Sequence, residues 1–182
     1  MPHQFVNRPR FHAPTRTGSS ARKQFRWESA NAILYMLGGV FFICGSILFF
    51  PAFEQDSNGG AWIFFAGSLL YLVVTGHDAL EVTNYRQQLK GEPTIWDRLE
   101  MWAAACYLVG SLLFAAGSIL FLSWVGRPEV AAWCFILGSL LFVLGATINV
   151  LQIVLASDMR TLHLMNLTAP NFVTGSVLFA VA

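Results

Sequence analysis

The amino-acid sequence predicts an all-α integral membrane protein: a five-helix transmembrane bundle made of two parallel-repeat helical hairpins plus one extra helix. Three observations predict it. The apolar residues gather in runs of about 20, the length that crosses a bilayer as a helix. Charged residues make up only 12% of the chain, against about 25% in soluble domains. One pattern, Phe-x-x-Gly-Ser-[Ile/Leu/Val]-Leu-[Phe/Tyr], recurs at Phe42–Phe49, Phe64–Tyr71, Phe114–Phe121, Phe135–Phe142 and Phe172–Phe179.

The elements follow in order. Residues 1–24 are expected to form a disordered basic tail. The segment ahead of the first span holds Arg8, Arg10, Arg16, Arg22, Lys23 and Arg26 and no acid before Glu28. Residues 25–85 form a first two-helix repeat, with spans at 29–50 and 60–82. Residues 96–157 form a second, with spans at 99–124 and 131–156. A fifth span at 163–182, interrupted by Pro170, is half of a third repeat.

Charge sets the expected topology. The loop after the second span carries Arg86, Lys90 and Arg98, and the loop after the fourth carries Arg160. The other two loops hold Arg127 beside Glu54, Asp56 and Glu129. Positive loops stay in the cytoplasm, which places the N-terminus inside and the C-terminus outside. The tail also suits an electrostatic hold on anionic lipid. Since topology accounts for its charge, no nucleic-acid partner is expected. Cys44, Cys106 and Cys134 all fall within spans and lack the spacing of a metal site or a disulfide framework.

A slide of 72 residues lays Arg26, Glu28, Tyr35, Gly38, Phe42 and Gly45-Ser46 on Arg98, Glu100, Tyr107, Gly110, Phe114 and Gly117-Ser118. A slide of 71 lays Ala61-Trp62, Phe64 and Gly67-Ser68 on Ala132-Trp133, Phe135 and Gly138-Ser139. Each unit holds two spans, so the two hairpins share one orientation about the membrane normal. The Arg-x-Glu start, the Tyr-x-x-Gly-x-x-x-Phe-x-x-Gly-Ser helix and the Trp-x-Phe-x-x-Gly-Ser-Leu helix together resemble the YrhK-like domain, over residues 24–85 and again 96–157. That is a short bacterial membrane domain with no assigned function. The resemblance implies a multi-pass protein of the bacterial inner membrane built from hairpin units, and brings no catalytic residues with it.

Steps of three and four residues follow one face of each helix. In the half expected to lie outward, glycines alternate with rings: Gly38, Gly45, Gly67, Gly110, Gly117, Gly138, Gly145 and Gly175 are expected to be helix-packing positions. Without a hydrophobic drive between helices in lipid, such close approach supplies the association, and their seven-residue spacing favours left-handed crossings.

The other half of each stripe is polar. Glu28, Tyr35, Asp78, Glu81, Glu100, Tyr107, Asn149 and Gln152 are expected together at the cytoplasmic end, with Asp158 at the matching position before the fifth span. The first unit carries Asp78-x-x-Glu81 where the second carries the amides Asn149-x-x-Gln152. The swap keeps hydrogen bonding and removes charge. Two readings stay open. Either Tyr hydroxyls and Arg26 and Arg98 satisfy the acids in a closed network, or the cluster lines a cytoplasm-facing cavity for a cation, an amine or a proton.

The Gly-Phe half argues against a continuous pore, and no nucleophile with supporting groups, cofactor motif or metal spacing accompanies the acids. The expectation is a non-catalytic protein with no cofactor and no metal. Its partners are the lipid bilayer and a second copy or another membrane protein met through the fifth helix. Its role is structural or partner-binding. The alternative is a small-solute or cation-binding membrane protein, as part of a transport system.

Overall fold

The computed structural model describes residues 19–88 and 91–151, followed by a short helical piece represented by Asn171, Val173, Thr174, Gly175 and Val177. Four long helices carry the described chain: α1 (Ser19–Leu48), α2 (Ser57–Gln88), α3 (Ile95–Leu120) and α4 (Pro128–Leu151), with a 3-10 turn at Pro51–Asp56 between α1 and α2. Each is long and apolar enough to cross a membrane, over Ser29–Leu48, Ser57–Gln87, Ile95–Leu120 and Pro128–Leu151. There is no strand among the described residues. Most of the fifth span expected at 163–182 lies outside them, as does Gln152.

Helix ends differ from the sequence expectation for local reasons. Helix α1 begins at Ser19, inside the segment expected to be a disordered tail. Ala21, Arg22, Lys23 and Gln24 are good helix formers, and no breaker separates them from the span. Helix α3 stops at Leu120, short of Trp124. The chain turns there through Gly126, whose φ of 63° suits glycine, and Pro128 then opens α4, where a missing N–H costs nothing. At its other end α3 starts at a capping box. The Asp97 N–H donates to Thr94 Oγ1, and the Thr94 N–H donates to Asp97 Oδ2 at 2.8 Å.

Consecutive helices pack on one another: α1 on α2, α2 on α3, α3 on α4. Glycines set how closely. A Cβ on Gly38 would lie 2.6 Å from the Tyr71 ring, and one on Gly45 would strike the Phe64 ring. The second hairpin repeats this with Gly110 under Phe142 and Gly117 against Phe135. Gly38 and Gly67 face each other's carbonyl oxygens, as do Gly110 and Gly138. Gly175 lies in the short described piece of the fifth span, and a Cβ there would meet nothing within 4 Å among the described residues.

The serine of the recurring motif has its own role. Ser46, Ser68, Ser118 and Ser139 each donate to the carbonyl four residues back, that of Phe42, Phe64, Phe114 and Phe135, at 2.8 Å. A hydroxyl satisfied within its own helix carries no unmet hydrogen bond into lipid. It also leaves a small side chain where neighbours approach.

Rings fill the space between the hairpins, and repeat-related residues meet each other. Phe42 lies 5.6 Å from Phe114, Phe49 4.9 Å from Phe121, Phe64 5.7 Å from Phe135 and Tyr71 6.2 Å from Phe142. The turn ends of the two hairpins are also tied together. Asn58 Nδ2 donates to Ser123 Oγ at 2.8 Å, and the Ser123 N–H donates to Asn58 Oδ1 at 2.9 Å. Both hairpins therefore point the same way.

Candidate functional site

Four of the polar residues singled out in the sequence come together. Tyr35 projects from α1, Asp78 from α2, Tyr107 from α3 and Asn149 from α4, and all four are buried, the last three at about 1% exposure. Asp78 lies within electrostatic range of both Tyr35 and Tyr107, and the two phenols lie within range of each other. Asn149 Nδ2 donates to the Tyr107 hydroxyl at 3.0 Å.

The second hairpin shows how the helices arrange this. Gly145 has no side chain, and a Cβ there would stand 3.1 Å from Tyr107 Cζ. The Tyr107 ring lies in that notch, and Asn149, one turn along the same face, meets its hydroxyl. In the first hairpin Val74 stands at the position of Gly145. There the Tyr35 ring stacks on Tyr71 instead, with centroids 4.3 Å apart. The units thus differ in two linked ways. One places a carboxylate, Asp78, where the other has an amide, and one lays its tyrosine on a second tyrosine where the other seats it on a glycine.

Burial is what the structure gives for the remaining expected members among the described residues. Glu100 is buried near the start of α3 and Glu81 is half-buried on α2. The Glu28 side chain and Gln152 lie outside the described residues, as does Asp158. Arg26 and Arg98, expected to satisfy the acids, are both exposed. The expected cluster leaves out three polar features. Asn31, one turn before Tyr35, has its Oδ1 buried without a hydrogen-bond partner among the described residues. Thr75 Oγ1 donates to Ser111 Oγ at 3.3 Å, joining α2 to α3. Tyr71 enters the site by stacking, and its signal was available: it is the only motif copy that ends in Tyr rather than Phe.

Chemically the site offers one carboxylate, the phenols of Tyr35 and Tyr107 with that of Tyr71 stacked beside them, and an amide whose Oδ1 is buried with no hydrogen-bond partner among the described residues. Among the described residues no group of three His, Cys, Asp or Glu is placed to hold a metal ion. These are hard oxygen donors with little charge, a set suited to hydrogen bonding or to a hard cation.

A family model described as YrhK-like protein matches the chain twice, over residues 25–82 and 97–154. No curated protein and no solved structure matches it.

Proposed function

The chain belongs to the YrhK-like protein family, and on that premise we propose that it is a non-catalytic scaffold of the bacterial inner membrane that binds a membrane partner. In this reading the basic segments hold the N-terminus in the cytoplasm, and the fifth span joins the four described helices to complete a five-helix bundle.

One observation carries the reading: matching faces of α1 and α3 are covered differently by the described residues. In α3 and the turn that follows it, the residues Ala104, Ser111, Ala115, Ser118 and Leu122 are all buried, on the side where Thr75 of α2 reaches Ser111. Their repeat equivalents in α1 and just after it are Ala32, Gly39, Ile43, Ser46 and Phe50. Ile43 is 64% exposed and Phe50 59%, Ser46 is exposed and the two smallest are half-buried. The same face that receives a helix in the second unit is largely left open by the described residues in the first. Small residues at seven-residue spacing let backbones approach closely in lipid. The ring-filled interior supports a packing role over a conducting one.

The test is site-specific photocrosslinking in native membranes. A photoreactive residue at Ile43 is expected to give a protein adduct of defined mass. The same residue at Leu37, on another side of α1, is expected to give lipid adducts. Equal lipid labelling at both positions would overturn the partner-binding reading. A second reading, in which the polar cluster binds a small cationic ligand, is favoured by the Asn149 Oδ1, buried with no hydrogen-bond partner among the described residues.

A further inference from the structure

Resting on that second reading, we propose that Tyr35, Asp78, Tyr107 and Asn149 form a binding site for a dehydrated alkali cation. Asn149 is the central residue. Its side chain is fully buried and held in place by its own bond to the Tyr107 hydroxyl at 3.0 Å. That bond uses one end of the amide. The other end, Oδ1, is enclosed and has no hydrogen-bond partner among the described residues. A buried carbonyl oxygen left unmatched costs about 1–3 kcal/mol, so an electropositive occupant facing it would be stabilising.

Asp78 supplies the charge. It is enclosed, on the helix next to α3, within electrostatic range of both phenols. A carboxylate inside a span is costly, and a cation held beside it offsets that cost. The ligand class follows from the donors. They are a carboxylate, an amide carbonyl and phenolic oxygens, all hard ligands that suit alkali and alkaline-earth ions. One carboxylate matches a single positive charge. A divalent or transition-metal site would gather further acids, histidines or cysteines, and no such group of three occurs among the described residues. The repeat sharpens the point. At the position of Asp78 the second unit carries the neutral Asn149, which brings one acid and one carbonyl to the site instead of two acids.

The experiment is thermal unfolding of the purified full chain in detergent. The protein is first exchanged into N-methylglucamine chloride. Sodium, potassium or ethylammonium chloride is then substituted at constant ionic strength. Sodium or potassium is expected to raise the midpoint saturably by about 3 °C or more. Asp78→Asn, which copies the amide of the second unit, is expected to lose the rise. Tyr107→Phe, which removes one donor oxygen and keeps the ring, is expected to raise the half-saturating concentration about tenfold. It also keeps the test open should Asp78→Asn fail to fold. An alkali-dependent rise that persists unchanged in both variants would overturn the proposal, because the ion would then bind elsewhere. A rise with ethylammonium alone, lost in Asp78→Asn, would overturn the alkali assignment and leave the cluster as an amine site. No saturable rise with any of the three would overturn both the proposal and the binding-site reading. In that case the Asn149 amide is turned to accept from Tyr107 and donate to Asp78 in a closed network.

Discussion

Gly110→Ala is expected to destabilise the bundle although alanine is the better helix former. The added methyl would stand 2.8 Å from two carbons of the Phe142 ring and 3.2 Å from the carbonyl oxygen of Gly138. Carbon atoms settle at about 3.5–4.0 Å, so one partner must retreat by nearly an ångström. Phe142 has nowhere to go: its ring is buried, 5.5 Å from Tyr107 and 5.5 Å from Phe114. The helices themselves must part. Overpacking of this kind costs about 1–3 kcal/mol, and the propensity gain of alanine over glycine returns about 1 kcal/mol. The expected net loss is about 1 kcal/mol, rising to about 2 for Gly110→Val. Gly76→Ala is the internal control, because a Cβ there meets nothing within 4 Å among the described residues; it should gain up to about 1 kcal/mol. Reversible unfolding by sodium dodecyl sulfate in mixed micelles, followed by tryptophan fluorescence, measures both. Gly110 and Gly138 face each other's carbonyls, so once the helices have parted the second methyl costs less. Gly110→Ala/Gly138→Ala should therefore fall short of the sum of the singles by about 0.5 kcal/mol or more. A Gly110→Ala protein stabilised as much as Gly76→Ala would refute the argument that the close approach is obligatory.

Two further outcomes follow from the loops. Thr94→Ala removes the capping box at the start of α3 and should cost about 0.5–2 kcal/mol in the same assay, while Thr94→Ser should restore most of it. Asn58→Ala removes both hydrogen bonds to Ser123. These are exposed, so the loss should stay near 1 kcal/mol, and faster amide exchange of Ser123 should report the freed turn.

Much of the architecture was legible in the sequence because lipid makes the code simple. A span must be long, apolar and internally hydrogen-bonded, and a repeat of 72 and 71 residues fixes which faces correspond. The pairing of Gly38 with Tyr71 and of Gly110 with Phe142 follows from the alternation of small and large residues on those faces. Helix ends were less legible. Trp124 is apolar and lies beyond the end of α3 because Gly126 and Pro128 act over a few residues, below the scale of a hydropathy window. The polar cluster was half legible. The stripe places Tyr35, Asp78, Tyr107 and Asn149 at one level, but it does not show that Gly145 in one unit and Val74 in the other give the two tyrosines different partners. That depends on which neighbour a ring meets across the bundle, which periodicity along one helix does not encode. The serine-to-carbonyl bonds were written in the Phe-x-x-x-Ser spacing. They reflect a purely local rule, the reach of a hydroxyl back by one turn.

The rings that meet across the hairpins have a consequence for how such a protein is assembled. Phe42 with Phe114 and Phe64 with Phe135 are each a residue touching its own counterpart. A single hairpin bearing that face is complementary to itself, so two separate copies would associate through it at a strength set by their concentration in the membrane. Joining the copies by the Gln88-to-Ile95 connection makes the encounter intramolecular, and association becomes independent of expression level. The join also breaks an obligation. In a pair of identical copies every acid on the shared face is present twice, and two enclosed carboxylates at one level repel. Linked copies mutate independently, so one unit can retain Asp78 while the other carries Asn149, a division of labour that a pair of identical chains cannot make.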